Sequence, residues 1–170
     1  QREYDQVSRM RIKRQLLDVL AAQASFPIPE TMATGEFDAI WQRLEQDRKN
    51  GQIDEEAKAK DDETLKAEYK AIADRRVRLG LLLAEIGRVK EIVVTPDEMM
   101  RAMRTEAGRY PGQEQQIMDL FRKNPNVAET LRGPIFEEKV VDYILELAKV
   151  TTRDVTADEL TAETETTAAA

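Results

Sequence analysis

Between Asp62 and Val93 the apolar positions recur at helical intervals. Leu65, Tyr69, Ile72, Leu79, Leu83 and Ile86 stand three, four or seven residues apart, and no proline interrupts them. This predicts a helix over 62–93, the longest in the chain and the one around which the rest is organised. From Val77 to Ile86 the apolar residues thicken, and Leu81 and Leu82 point away from the Leu79/Leu83/Ile86 face, so this half must be packed on more than one side. The first half is largely charged. About thirty helical residues reach about 45 Å, against a diameter of about 40 Å for a compact globule of this length. The C-terminal half is therefore expected to be buried and the N-terminal half to project as part of an arm.

The remaining elements follow in order. A first helix covers Arg2 to Ala24, with Ile12, Leu16, Val19 and Leu20 on one face and Arg9, Arg11, Lys13 and Arg14 around it. Phe26-Pro27-Ile28-Pro29 stops it, because each proline disfavours helical geometry in the residue before it. A second helix opens at Pro29 or Glu30 with Met32, Phe37, Ile40, Trp41 and Leu44 apolar, and ends near Asn50. The polar stretch 50–62 is a hairpin tip, so residues 30–92 form one long αα-hairpin. Asp61-Asp62-Glu63 is a helix start. Thr95-Pro96-Asp97-Glu98 is a capping box with proline at the first helical position, echoed by Thr156-Ala157-Asp158-Glu159. Pro96 to Arg109 is a helix carrying Met99, Met100 and Met103. Tyr110-Pro111-Gly112 is a turn, and Gln113 to Lys123 a short amphipathic helix with Ile117, Met118, Leu120 and Phe121. Asn124-Pro125 breaks it, helix resumes over 126–132, Gly133-Pro134 kinks or restarts it, and Ile135 to Val150 closes a second arm. The tail 161–170 is too poor in apolar residues to order itself.

Composition narrows the chemistry. The 170 residues are 41% hydrophobic, 35% charged and only 5% aromatic, as expected of an all-α domain with much surface per residue. There is no cysteine and no histidine, which excludes disulfides, Cys or His nucleophiles, His bases and zinc sites built on either residue. The carboxylates sit on charged helical faces beside Lys or Arg, where they are ionised and solvated, and none pairs with a nucleophile. No phosphate-cradling glycine loop is present, so no ATP or other cofactor is expected, and no metal. A net charge of −7 argues against a nucleic-acid partner, and the Arg9–Arg14 cluster reads as a solvated helix face. No apolar run is long enough to span a membrane. Gln1 already lies inside a helical pattern, so the sequence reads as a piece of a longer chain.

The block ADRRVRLGLLLAEIGRVKEIVVTPDEM resembles the C-terminal substrate-binding region of the bacterial trigger factor family, ribosome-associated chaperones. The likeness extends to MRIKRQLLDVLAAQASFPIPE before it and FRKNPNVAETLRGPIFEEKVVDYILELAKVTTRDVTADEL after it, in the same order, up to about residue 160. The family's ribosome-binding and prolyl isomerase domains have no counterpart here. The resemblance implies an elongated, all-α, two-armed chaperone domain: a body helix to residue 25, a first arm over 26–93, a second over 94–150 and a return segment to 160. It implies unfolded or nascent polypeptide as partner in the bacterial cytoplasm, ribosome contact only through the missing domain, and no prolyl isomerisation. The apolar pattern gives no membrane partner, and a homodimer stays open.

The family's client-binding patch lies around the turn and short helix of the second arm, where Tyr110, Ile117 and Leu120 match its aromatic and aliphatic members. A further apolar family position falls on Glu106 or Ala107 here. Met99, Met103 and Phe121 are neighbours added from the pattern, with helix packing as their alternative role; Met100 and Met103 read as core. Phe37, Ile40 and Trp41 are further candidates, read first as core of the first hairpin. Methionine suits surfaces that must accept differing shapes, and exposed apolar patches usually mark interaction sites. Two competing readings are a helical scaffold or oligomerisation module for one folded partner, and the helical core of a periplasmic parvulin-type chaperone, whose fold is similar.

Overall fold

The computed structural model describes residues 2–53, 55–153 and 155–156. Among them are eight α-helices and no strand: α1 Arg2–Gln23, α2 Glu30–Lys49, α3 Glu55–Ala59, α4 Asp62–Val89, α5 Pro96–Ala107, α6 Glu114–Lys123, α7 Pro125–Glu129 and α8 Arg132–Leu147. The echo of the capping box at residues 157–159 and the tail 161–170 lie outside the described residues.

Local chemistry explains the boundaries. Asp61 accepts from the Thr64 amide at 2.8 Å and so starts α4. Thr95 accepts from the Glu98 amide at 3.3 Å while Glu98 accepts from the Thr95 amide at 2.8 Å, the reciprocal box that starts α5. Several boundaries differ from expectation: α5 ends at Ala107 rather than 109, α7 at Glu129 rather than 132 and α8 at Leu147 rather than 150. Two further differences have a local cause. α4 stops at Val89, not at 93, because Glu91 adopts φ +54° and reverses the chain. The Ile92 amide then donates to the Gly87 carbonyl at 2.8 Å and that of Glu91 to Arg88 at 3.3 Å, a Schellman closure with glutamate where glycine is usual. Gly133-Pro134 does not begin a new helix. α8 already starts at Arg132, so Pro134 falls in its first turn, where a missing N–H costs no hydrogen bond. A short helix, α3, also occupies the polar tip.

The chain packs as two units, residues 17–82 and the remainder, with α1 and α4 each contributing to both. In the 17–82 unit, α2 and α4 run antiparallel. Glu36 pairs with Arg76 at 3.0 Å and Arg48 with Asp62 at 2.8 Å, and Trp41 meets Tyr69 edge to face at 6.4 Å between ring centroids. The paired residue numbers sum to about 110 each time, as one antiparallel register requires. Leu44, Leu65, Ala73 and Val77 are buried there. The deepest line on α4 runs through Ala73, fully buried, rather than through the half-buried Ile72 and Leu79. A small side chain lets a neighbour approach the backbone closely. Leu81 and Leu82 are half-buried, and Leu82 lines a cleft of ≈ 450 Å³ with Leu20 and Phe26. On α1, Val19 is exposed, off the packed side that sequence assigned to it.

In the other unit α8 is central. Its Val140 and Val141 are fully buried. α5 packs on α6 and α8, α6 on α7, and α7 on α8. Arg9 and Lys13 of α1 reach the acidic residues of α8, Lys13 pairing with Glu137 at 2.8 Å and Arg9 with Glu138 at 3.2 Å. Burial pulls the Lys13 ammonium down, but its hydrogen bonds to Glu137 and Glu138 outweigh that and raise its pKa.

Candidate functional site

The α5–α6 hairpin is built from two amphipathic helices and a turn held by backbone hydrogen bonds. On α5, Met99, Met103 and Ala107 follow one another at intervals of four and form the inward stripe, with Met99 and Ala107 buried and Met103 half-buried. The Tyr110 amide donates to the Ala107 carbonyl at 3.0 Å, and its carbonyl accepts from Gln113 at 2.9 Å. Gln113 in turn accepts from Ile117 at 3.0 Å. This relay fixes Tyr110 against the start of α6. Gly112 completes the turn at φ +82°, a conformation that a side chain would strain.

α6 is buried at one position. Phe121 is 6% exposed, Ile117 and Met118 flank it as half-buried shoulders, and Leu120, a quarter-turn away, is 44% exposed. Tyr110 is 46% exposed. The hairpin therefore sorts the sequence candidates into two sets. Met99 and Phe121 fill the core, because their positions on the two helices face the packed side. Tyr110 and Leu120 face solvent, with the half-buried Ile117 and Met103 at the boundary. Met100, read from sequence as core, is 37% exposed, since it sits about 100° around the helix from Met99. Glu106 pairs with Arg109 at 3.0 Å at the base of the turn.

Phe37, Ile40 and Trp41 belong to the 17–82 unit and are half-buried. Phe37 and Trp41 stack at 5.9 Å, and the Trp41 ring carries Lys66 at 5.4 Å and Arg48 at 5.8 Å. Phe37 and Trp41 are thus engaged within that hairpin.

Sequence reading overlooked two apolar features of the hairpin's own unit. Val127 on α7 is exposed. Ile92, Val93 and Val94, taken for the end of a helix, lie beyond it and line a cleft of ≈ 460 Å³ with Phe136 and Arg132. Three β-branched residues in a row were the available signal, since they favour extended backbone.

The hairpin is anchored to α8 by Lys139, whose ammonium donates to the Val93 carbonyl and to Glu98 Oε1, both at 2.7 Å. The Lys139 bond to Glu98, with those from Thr95, holds the pKa of the Glu98 carboxyl at about 2, well below its ordinary 4.5. This carboxylate caps and clamps, and the hydroxyl beside it, that of Thr95 at 3.0 Å, belongs to the same capping box. Among the described residues no group of three or more acidic side chains is arranged to hold a metal ion, and no helix is long and apolar enough to cross a membrane.

Comparison with known proteins adds three findings. The family described as bacterial trigger factor protein C-terminus matches residues 1–146. The chain is 61% identical over 160 residues to a trigger factor of Gluconacetobacter diazotrophicus, which covers 94% of this chain and 36% of that one. It is 60% identical over 163 residues to one of Granulibacter bethesdensis, covering 96% and 37%. The chain thus spans just over a third of the length of these relatives. A solved structure of trigger factor domains from Thermotoga maritima superposes with a TM-score of 0.67 over 82% of this chain and 83% of the other, at 16% identity, and so shares the fold.

Proposed function

The chain belongs to the family of bacterial trigger factor C-termini, a chaperone module, and on that premise we propose that it binds unfolded or nascent polypeptide through the apolar surface of the α5–α6 hairpin. One observation carries the reading: with its core already filled by Met99 and Phe121, the hairpin still presents Tyr110 and Leu120 to solvent beside the half-buried Ile117. Apolar area left on a surface is stabilised by whatever covers it, at about 25 cal/mol per Å². Each side chain engaged contributes about 1–2 kcal/mol. An unfolded client offers many such side chains, and several weak contacts on one chain reinforce each other through effective concentration. Release follows when the client folds and buries its own apolar residues, with no nucleotide consumed. The proposed setting is the bacterial cytoplasm. Ribosome attachment and prolyl isomerisation are proposed to reside in parts of the longer relatives that this segment does not match.

The test is an NMR titration of the isotope-labelled chain with a permanently unfolded apolar polypeptide, and with the same polypeptide after replacement of its apolar residues. Saturable shifts at Tyr110, Ile117 and Leu120 with the first polypeptide alone are expected. Shifts with neither would overturn the reading and favour a scaffold for one folded partner.

A further inference from the structure

The face of α5 opposite its buried stripe is different in kind from the Tyr110–Leu120 surface. Asp97, Met100, Arg101 and Arg104 lie there on successive turns and line a shallow cleft of ≈ 370 Å³. The other two arginines of the hairpin are neutralised within it, Arg109 by Glu106 at 3.0 Å and Arg122 by Asp119 at 3.3 Å. Arg101 and Arg104 make no ion pair or side-chain hydrogen bond among the described residues. In a chain of net charge −7, two adjacent free guanidinium groups beside an exposed methionine are a local exception.

We propose that this face is a subsite for acidic client segments, which takes an apolar client side chain on Met100 and a neighbouring client carboxylate on the guanidinium groups of Arg101 and Arg104. The proposal deepens the client-binding reading above and rests on it. Charge complementarity selects the occupant. A guanidinium offers paired N–H donors that match the two oxygens of a carboxylate, and two of them one turn apart can share it from both sides. Asp97 closes one end of the cleft, held in the first turn of α5 where the helix dipole favours an anion. Its charge disfavours a polyanion such as nucleic acid, which would have to place successive phosphates past it, whereas one isolated carboxylate is accommodated. Methionine, unbranched and polarizable, accepts whatever apolar side chain accompanies the acid.

The experiment compares two permanently unfolded peptides with the same apolar residues, one carrying Glu and the other Gln beside each of them, titrated into the 170-residue chain and followed by fluorescence anisotropy. The Glu peptide is expected to bind about three- to tenfold tighter at low salt, the scale of one or two exposed ion pairs. The net charge of the protein opposes that preference, so bulk attraction cannot produce it. The preference should disappear in the double variant R101Q/R104Q and widen in D97N, with both variants remaining folded, since the replaced side chains face solvent and each lost charge–dipole interaction at the ends of α5 is worth at most about 1 kcal/mol. Equal binding of both peptides by the parent chain overturns the subsite and leaves the client-binding reading standing. Binding of neither overturns both. A single-stranded RNA oligonucleotide that binds the parent chain but not R101Q/R104Q, with the two peptides bound equally, would reassign the face to nucleic acid.

Discussion

The tip of the Phe136 ring on α8 abuts Gly87 of α4: a Cβ built on Gly87 would come within 2.7 Å of Cε2 and closer still to Cζ. The absent side chain is what lets the two helices meet at this point. Gly87→Ala therefore must displace Phe136, and overpacking of that kind costs about 1–3 kcal/mol, against about 1 kcal/mol gained in helix propensity. Gly80, two turns earlier on the same helix, has nothing within 4 Å of where its Cβ would stand. Gly80→Ala should then be stabilising by about 0.5–1 kcal/mol. Thermal melts of the two variants should move in opposite directions; equal shifts would remove the Phe136 contact as the cause.

The left-handed Glu91 makes a second stability prediction. An L-residue other than glycine pays about 1–2 kcal/mol for that conformation. Replacing Glu91 with Gly should recover about 0.5–1 kcal/mol, part of the strain being offset by the greater freedom of glycine in the unfolded chain. Urea denaturation is the suitable measurement, with a raised midpoint at unchanged slope.

Acid should weaken the anchor between α5 and α8. The Glu98 carboxyl is held at about 2 in the folded chain by Lys139 and Thr95, below its ordinary 4.5. A depressed folded pKa stabilises the fold at pH above the unfolded value and is lost as pH falls through the folded one. The contribution is therefore complete above about pH 4.5 and declines toward about pH 2. Glu98→Gln should flatten the acid limb of the stability profile in that window. An unaltered acid limb would assign it to other carboxylates, Glu138 first. That group is raised by burial, but its bonds to Lys13 and Arg9 prevail and lower it.

Leu120 and Phe121 are adjacent in sequence and opposite in role. Phe121→Ala removes a buried ring and should cost about 3–5 kcal/mol, which a melt will register. Leu120→Ala and Tyr110→Ala change exposed side chains and should cost less than about 0.5 kcal/mol each, while weakening binding of an unfolded apolar polypeptide several-fold. A loss of client affinity only in variants that also lose stability would argue against Tyr110 and Leu120 as contacts.

What was legible in the sequence was local. The capping box at Thr95–Glu98 states its own function, because both hydrogen bonds close within four residues. The proline breaks at 27, 29 and 125 act on the residue next to them, and the intervals of three and four on α4, α5 and α6 identify the apolar face of each helix. Two misplacements were local too, but conditional. Glu91 turned left-handed without the glycine that usually announces it, and Pro134 was absorbed into a first turn that begins two residues earlier than its own sequence suggests.

Which members of an apolar face become core was decided only in three dimensions. Periodicity points Met99 and Met103 toward the same side of α5, yet one is buried and the other half-buried, according to where α6 and α8 lie against them. On α4 the deepest residue is Ala73, and Gly87 is where the Phe136 ring packs in, both too small to stand out in a hydrophobic pattern. The reason is physical: a helix repeats its direction every 3.6 residues and so writes its face into the sequence, whereas burial depth depends on the approach of another helix, whose distance is set by side chains far away in the chain. Sequence alone determined an all-α chain, the capped starts of α4 and α5 and the family it resembles. The tertiary structure decided that Tyr110 and Leu120 remain at the surface and that Met99 and Phe121 do not.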